Sequence, residues 1–332
     1  MSRDRAINRR AFGAGVAAAA ASSALPTISA FGQTATTSGA GTNPWQQLGA
    51  LSARARDLKL SVPRTASITV TGGTSFTDVM PAVAGFIDHV ESSASTSNAP
   101  RTDVDALLDS ASDLLISITS AERSPRNAPD TNEPGVQVVS DTFDTLKDGY
   151  LELFDSCVIL DQHRAMVNWY VSRLLDAKSG QLYDAVEDSI CAPWYFIGMI
   201  HGLEGSFNFK THLHNGDSLK AKTFHKPPGR PEVWLPPSDW ASSAEDALTM
   251  ENCANQPDWS LAHTLYRFEK YNGFGSRHHG INTPYLWSFS NHYTKGKYVE
   301  DGKWNPDMPS QQCGAAVMLK VLIDSGRIAR PA

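Results

Sequence analysis

Apolar side chains recur at spacings of three and four residues along most of this 332-residue chain, which is the period of an amphipathic α-helix. One such series consists of Phe76, Val79, Val83, Phe86, Ile87 and Val90. A second consists of Leu107, Leu108, Ala111, Leu114, Leu115 and Ile118. Hydrophobic residues make up 41% of the chain and charged residues 19%, a balance that can bury a core. The pattern predicts a mainly α protein.

The stretch from residue 211 to residue 237 interrupts this helical pattern. It contains Gly216, Gly229 and five prolines, and both residue types break helices. We interpret it as a β-hairpin followed by a loop. Helical patterns lie on both sides of it, and Pro193 suits the first turn of the preceding helix. The expected fold class is therefore mainly α (α+β), with one small hairpin among helices.

Residues 1–32 have the three parts of an export signal, namely a basic flank, a short apolar run and a small-residue exit. The pair Arg9-Arg10, followed by Phe12, resembles the twin-arginine pattern. The apolar run over residues 13–25 is too short to span a bilayer permanently. We therefore predict a cleaved signal peptide over 1–32, no stable membrane span, and a periplasmic or extracellular location.

Two changes in composition divide the rest of the chain. Residues 33–44 are rich in Thr, Ser, Gly and Ala, as flexible linkers are. A second break over 124–135 contains three prolines, and seven of the eight tryptophans follow it, between Trp169 and Trp304. We predict a helical N-terminal region of unknown role over 45–135 and a functional domain over 136–332.

Charge and motif content exclude several classes of function. The formal net charge is −6 and no dense Lys/Arg stripe is present, so we expect no nucleic-acid partner. The chain has no Gly-x-Ser-x-Gly motif, no phosphate-binding loop and no dinucleotide fingerprint. Its four cysteines include no Cys-x-x-Cys pair, and they leave open one or two disulfides or free thiols. Nothing in the sequence indicates an oligomeric state.

The segment from Pro193 to Phe209 is the main candidate for chemistry. It is a strongly apolar helical stretch in which Glu204 is the one carboxylate, near the end of the helix. An apolar environment favours the protonated form of a carboxyl group. A protonated carboxyl group can donate its proton to a glycosidic oxygen. Taken alone, Glu204 leaves open both a general acid and an ordinary surface glutamate at a helix end.

Several short motifs resemble those of the lysozyme superfamily. The run Glu204-Gly-Ser-Phe-Asn208 resembles the Glu-Ser-x-Phe-Asn stretch of soluble lytic transglycosylases and goose-type lysozymes, with Gly205 where Ser is usual. Tyr271-Asn272-Gly273 resembles their Ala-Tyr-Asn-Ala-Gly motif. Asp217 and Thr223 follow Glu204 in the order found in phage-type lysozymes, where the Glu-to-Asp gap is shorter.

Two longer blocks extend the resemblance, which covers about residues 145–325. They are His212–Asp217 and Pro284–Tyr298, and both are similar to stretches of lysozyme-family peptidoglycan hydrolases. The resemblance implies a lysozyme-like helical domain behind the N-terminal helical region. It implies as substrate peptidoglycan or a related amino-sugar polymer, cut at a β-1,4 bond.

The resemblance also implies roles for individual residues. Glu204 would act as the general acid, Asp217 would activate water or stabilise positive charge, and Thr223 would orient that water. Tyr271 and Asn272 would hold an N-acetylated sugar. Further candidates for substrate contacts are His201, His214, Asn215, Tyr285 and Asn291. No metal ion and no organic cofactor is expected.

Three alternatives remain open from the sequence. A lytic transglycosylase would act on the same polymer without a second carboxylate. A zinc-dependent amidase or peptidase would use His201, His212 and His214, since the His-x-His spacing places two imidazoles on one face of a strand. A non-catalytic glycan-binding protein would use the aromatic residues to stack on sugars.

Overall fold

The architecture is a bundle of helices with one small two-stranded sheet. A computed structural model describes residues 43–63, 79–119, 140–175, 177–225, 227–234, 239–300 and 303–332. In these ranges the chain is mainly helical, which confirms the mainly α class. The predicted signal peptide, most of the linker and the proline-containing break at 124–135 lie outside the described residues. No helix among the described residues is long and apolar enough to cross a membrane.

Twelve α-helices are labelled in chain order among the described residues. They are α1 Pro44–Asp57, α2 Val79–Ala94, α3 Arg101–Thr119, α4 Phe143–Asp155, α5 Arg164–Leu174, α6 Ala177–Ile190, α7 Trp194–Gly205, α8 Trp240–Met250, α9 Leu261–Asn272, α10 Gly275–His278, α11 Pro284–Trp287 and α12 Ala315–Asp324. A short 3₁₀ helix, Asp161–His163, precedes α5.

The first three helices pack on one another through the predicted apolar series. The side chain of Asn43 caps α1 by accepting a hydrogen bond from the backbone N–H of Trp45. Val83 and Phe86 of α2 are fully buried, as are Leu107 and Ala111 of α3. These positions confirm the helical stripes, although Phe76 lies outside the described residues.

Helix α7 lies at the centre of the core. Every residue from Phe196 to Gly205 is buried, and the helix contacts α3, α5, α6, α9 and α12. A helix that is apolar on all sides is stable only when other elements surround it. The core is one continuous cluster that includes residues of α1–α3 and residues of the later helices. Residues Gly41–Ala332 accordingly form one compact unit, while the predicted division near residue 135 stays a prediction.

The strands lie elsewhere than the sequence predicted. β1, Lys297–Glu300, pairs with β2, Lys303–Asn305, in antiparallel register with Tyr298 opposite Trp304. In the described part of 211–237, the expected hairpin is reduced to a single bridge between Thr211 and Ser218. Prolines lack the N–H that a strand ladder needs, and side-chain-to-backbone hydrogen bonds order this segment instead.

All four cysteines are free thiols. Cys157, Cys253 and Cys313 are buried and Cys191 is exposed. Of the two possibilities that the sequence left open, the structure has the free thiols.

Candidate active site

Glu204 lies in the last turn of α7, with its side chain inside the protein. The residue is 4% exposed, and the hydroxyl group of Tyr285 in α11 donates a hydrogen bond to its Oε1 at 3.2 Å. The helix ends because Ser206 and Phe207 adopt left-handed backbone angles, with φ of 49° and 61°. This turn directs the chain away from the helix axis and into the segment that contains Asp217.

The segment after α7, residues 206–234, packs back onto the Glu204 backbone. A Cβ atom built at Gly216 would lie 3.0 Å from the carbonyl oxygen of Glu204, and Gly216 has a φ of +78°. Both features require glycine at this position. The hydroxyl group of Tyr271 donates to the carbonyl of Leu213 at 3.1 Å, which ties α9 to the same segment. The end of α7 with its following segment, α9 and α11 therefore come together near Glu204.

Asp217 is held by hydrogen bonds within its own segment. Its Oδ1 accepts from Nδ1 of His225 at 2.6 Å, and its Oδ2 accepts from the backbone N–H groups of Phe224 and His225 and from Nδ2 of Asn215. Burial raises the pKa of this carboxyl group, but the hydrogen bonds outweigh burial and leave the pKa below its ordinary value. Hydrogen bonds from four donors stabilise the charged form of a carboxylate. Asp217 is thus an ionised anchor of the segment.

Thr223 and Asn215 also make their hydrogen bonds inside this segment. The hydroxyl group of Thr223 donates to the carbonyl of Pro227 at 2.5 Å and accepts from the N–H of Arg230 at 2.8 Å. The side chain of Asn215 accepts from the N–H of Asp217 and donates to Asp217 and His225. The described geometry therefore gives both residues a part in shaping the segment beside Glu204.

The three histidines of the zinc hypothesis each have their own protein partner. Nδ1 of His201 is 2.9 Å from the hydroxyl group of Tyr183, and Nδ1 of His212 is 2.8 Å from Oγ of Ser243. Nε2 of His214 is 2.7 Å from Oδ2 of Asp246. Among the residues that the structure describes, no group of three His, Cys, Asp or Glu side chains could hold a metal ion.

Burial keeps two of these imidazoles neutral. It lowers the pKa of His201 to about 3, where the ring packs between Phe209 and Trp240 with centroids 4.5 Å from each. It also lowers the pKa of His214 to about 4, although the carboxylate of Asp246 opposes this shift. At neutral pH both rings act as uncharged hydrogen-bonding groups that connect α7 and the following segment to α6 and α8.

The other sequence-predicted residues fall into two groups. Tyr271 and Asn272 at the end of α9 are buried, as is Tyr285. Asn291 lies apart from them at the surface, where its side chain pairs with the backbone of Ser156 and Val158. The structure therefore brings Tyr285 onto Glu204 and Tyr271 onto the adjoining segment, and it uses Asn291 to join two loops.

Two further residues near Glu204 were not among the predicted site residues. Nε2 of Gln312 donates to the carbonyl of Leu203 at 2.7 Å, from 109 residues away along the chain. No local pattern could have indicated that contact. Gly216 carried a usable signal, because a glycine between Asn215 and Asp217 is typical of a turn with positive φ.

Comparisons with protein-family models, with curated proteins and with solved structures found no match to this chain. The functional interpretation therefore depends on the geometry around Glu204 and on the motif resemblance.

Proposed function

We propose that this chain cleaves glycosidic bonds of peptidoglycan as a muramidase-type hydrolase, with Glu204 as the general acid. The observation that carries the proposal is the convergence on Glu204. Gly216 leaves room for the Glu204 carbonyl, from which an added Cβ would be 3.0 Å away. Tyr285 bonds to the Glu204 side chain, and Tyr271 bonds to the segment next to it. All three belong to motifs that resemble lysozyme-superfamily sequences.

The chemistry assigned to Glu204 is donation of a proton to the leaving glycosidic oxygen. General acid catalysis of this kind contributes a factor of about 10² to 10⁴ to the rate. The hydrogen bond from Tyr285 fixes the orientation of the carboxyl group, which is what a positioned proton donor needs. Tyr271 and Asn272 are assigned to the binding of the N-acetylated sugar.

Access of the polymer to Glu204 requires movement of a neighbouring segment, because Glu204 is 4% exposed. The segment after α7 lies against the Glu204 backbone at Gly216 and reaches the surface at Phe224, which is 76% exposed. We propose that this segment moves outward when a glycan binds. The movement exposes the Glu204 carboxyl group, and the ring of Phe224 becomes available to a sugar face.

Lytic transglycosylation is the second candidate, and the bonding of Asp217 favours it. A hydrolase needs a second carboxylate that activates water or attacks the sugar. Asp217 instead accepts four hydrogen bonds from donors of its own segment, three on Oδ2 and one on Oδ1. A lytic transglycosylase uses a hydroxyl group of the substrate in place of water and has no such requirement.

Replacement of the carboxyl group of Glu204 tests the central assignment. Glu204→Gln keeps the size and polarity of the side chain but has no acidic proton, so we expect turnover of peptidoglycan to fall at least about 100-fold. The release of soluble glycan fragments is measured, and the melting temperature is recorded to verify folding. Glu152→Gln, at an exposed position of α4, is the matched control and should retain full turnover. Full activity of Glu204→Gln would contradict the proposal, as would the absence of cleavage by the wild type.

Replacement of Asp217 separates the two mechanisms. In a hydrolase that uses Asp217, Asp217→Asn should reduce turnover at least about 100-fold and the wild-type products should carry reducing ends. In a transglycosylase the variant should stay within about tenfold of the wild type and the products should carry anhydro ends. Mass spectrometry of the fragments identifies the ends. The turnover of the variant and the ends of the wild-type products together decide between the mechanisms. A fall in turnover that comes only from the lost hydrogen bonds of Asp217 leaves the type of wild-type product end unchanged.

A further inference from the structure

A cavity of about 260 Å³ lies beside α9, on residues that the proposed active site does not use. The residues on its wall include Arg267 and Lys270 of α9 and the aromatic residues Phe143 and Tyr266. Since Arg267 and Lys270 are three residues apart on one helix, they lie on the same face. Two cations thus line one cavity.

Arg267 is buried and makes no ion pair within the part of the chain that the structure describes. It is 8% exposed, and its Nη1 and Nη2 donate to the backbone carbonyl of Asp258 and to the side-chain oxygen of Gln256. Its guanidinium group lies 4.6 Å from the ring centroid of Trp259. These direct partners are uncharged. Burial lowers the pKa of the guanidinium group and outweighs the opposing effects of the nearby Asp258 carboxylate and of Cys253, which raise it. A buried cation normally pairs with an anion, because burial of an uncompensated charge is unfavourable.

The other charged residues on the wall determine which charge a bound anion should carry. Lys270 is exposed and makes no ion pair within the described part of the chain. Glu251 lies on the same wall, and His263 is already paired with Asp258 at 2.8 Å. Apart from His263, whose partner is Asp258, the wall carries two cations and one carboxylate, which leaves one excess positive charge. That balance suits a monoanion better than a doubly charged phosphate, and the two aromatic rings suit an organic molecule.

We propose that this cavity binds a small organic carboxylate, such as the terminal carboxylate of a short peptide. The guanidinium group of Arg267 holds the carboxylate, in the planar geometry that arginine offers to such groups. Lys270 adds a second positive charge at the rim, and the rings of Phe143 and Tyr266 contact the apolar part of the ligand. The proposal is independent of the reaction assigned to Glu204.

Calorimetric titration with N-acetylalanine and with its neutral amide tests the proposal. The acid should bind at least about tenfold more tightly than the amide, because a charged hydrogen bond is lost in the amide. Lys270→Gln, at an exposed position, should fold normally and weaken binding of the acid by about tenfold. Arg327→Gln removes an exposed cation that does not line the cavity, and it should bind the acid as the wild type does.

Four results would overturn the proposal. They are no heat of binding with the acid at millimolar concentration, equal affinity for the acid and the amide, unchanged affinity in Lys270→Gln, and binding of inorganic phosphate as tight as that of the acid. Arg267→Lys supplies a second variant, because it keeps the charge but loses the planar donors. It should weaken binding of the acid, and unaltered affinity would likewise count against the assigned role of the guanidinium group.

Discussion

His214 illustrates how burial sets the charge of a single residue in this protein. Its Nε2 is 2.7 Å from Asp246, and Arg230 donates two hydrogen bonds to the same carboxylate. Asp246 and Arg230 thus already form an ion pair, with Nη2 2.7 Å from Oδ1. A proton on His214 would place a positive charge on a buried ring, next to an ion pair that is already complete. The fold therefore holds the imidazole neutral well below the pH at which an exposed histidine becomes charged.

A dependence of stability on pH follows from this lowered pKa. The pKa of His214 is about 4 in the folded protein and 6.5 in the unfolded chain, so the unfolded chain binds more protons between these values. The stabilisation is fully present above about pH 6.5 and is lost as the pH falls towards 4, on the order of 3 kcal/mol in total.

Melting temperatures measured from pH 4 to pH 8 should fall on the acid side. The fall should be smaller in His214→Gln, whereas His89→Gln, at an exposed position of α2, should follow the wild type. Parallel curves for His214→Gln and the wild type would contradict the assignment.

Among the elements, α7 depends on close packing at its glycines. A Cβ atom at Gly198 would lie 2.3 Å from Cδ1 of Leu174 and 2.7 Å from Cε2 of Tyr183, and both side chains are fully buried. Gly198→Ala should therefore destabilise the protein by about 1–3 kcal/mol, although alanine is the better helix former. Gly149→Ala in α4 is the matched control, because no atom lies within 4 Å of its added Cβ. It should stabilise by about 0.5–1 kcal/mol. Chemical denaturation measures both, and a stabilised Gly198→Ala would show that α7 is packed less tightly than described.

The sequence predicted the elements that nearby residues specify, and it missed the features that depend on residues farther apart. The helix that carries Glu204 was predictable, because Pro193 and an apolar run specify its start and its burial. The strands at 297–305 were missed, since a two-stranded sheet this short has little pattern of its own. The anchoring bonds of Asp217 and Thr223 were also missed. These bonds depend on the path of the whole segment, and the spacing of residues in the sequence does not reveal that path.

At the scale of the whole molecule, the first three helices support the region around Glu204. Arg173 of α5 forms ion pairs with Asp88 and Glu91 of α2. A Cβ atom at Gly216 would lie 3.2 Å from Cγ2 of Ile116 in α3, so α3 lies directly behind the segment that contacts Glu204. The N-terminal helices therefore form part of the wall behind the candidate site.

Truncation tests that support. A fragment that begins at Gly135 should still fold, because most aromatic residues lie beyond that point. We expect a lower melting temperature and a lower glycan turnover than for residues 43–332, because the fragment lacks the packing of α3 on α7 and the ion pairs between α2 and α5. Circular dichroism and fragment release measure the two effects. Equal values for the two proteins would mean that the N-terminal helices contribute neither stability nor activity.

The hydrogen bonds around Asp217 have a consequence for protein engineering. They connect Asn215, Phe224 and His225 to one carboxylate, so the loop from Asn215 to His225 is closed by bonds within itself. Most positions between the two ends of this network, over residues 218–222, are exposed. Randomised libraries placed there would vary the outer surface and keep the turn intact. The loop that Asp217 closes is therefore a suitable framework for selecting new recognition surfaces next to Glu204.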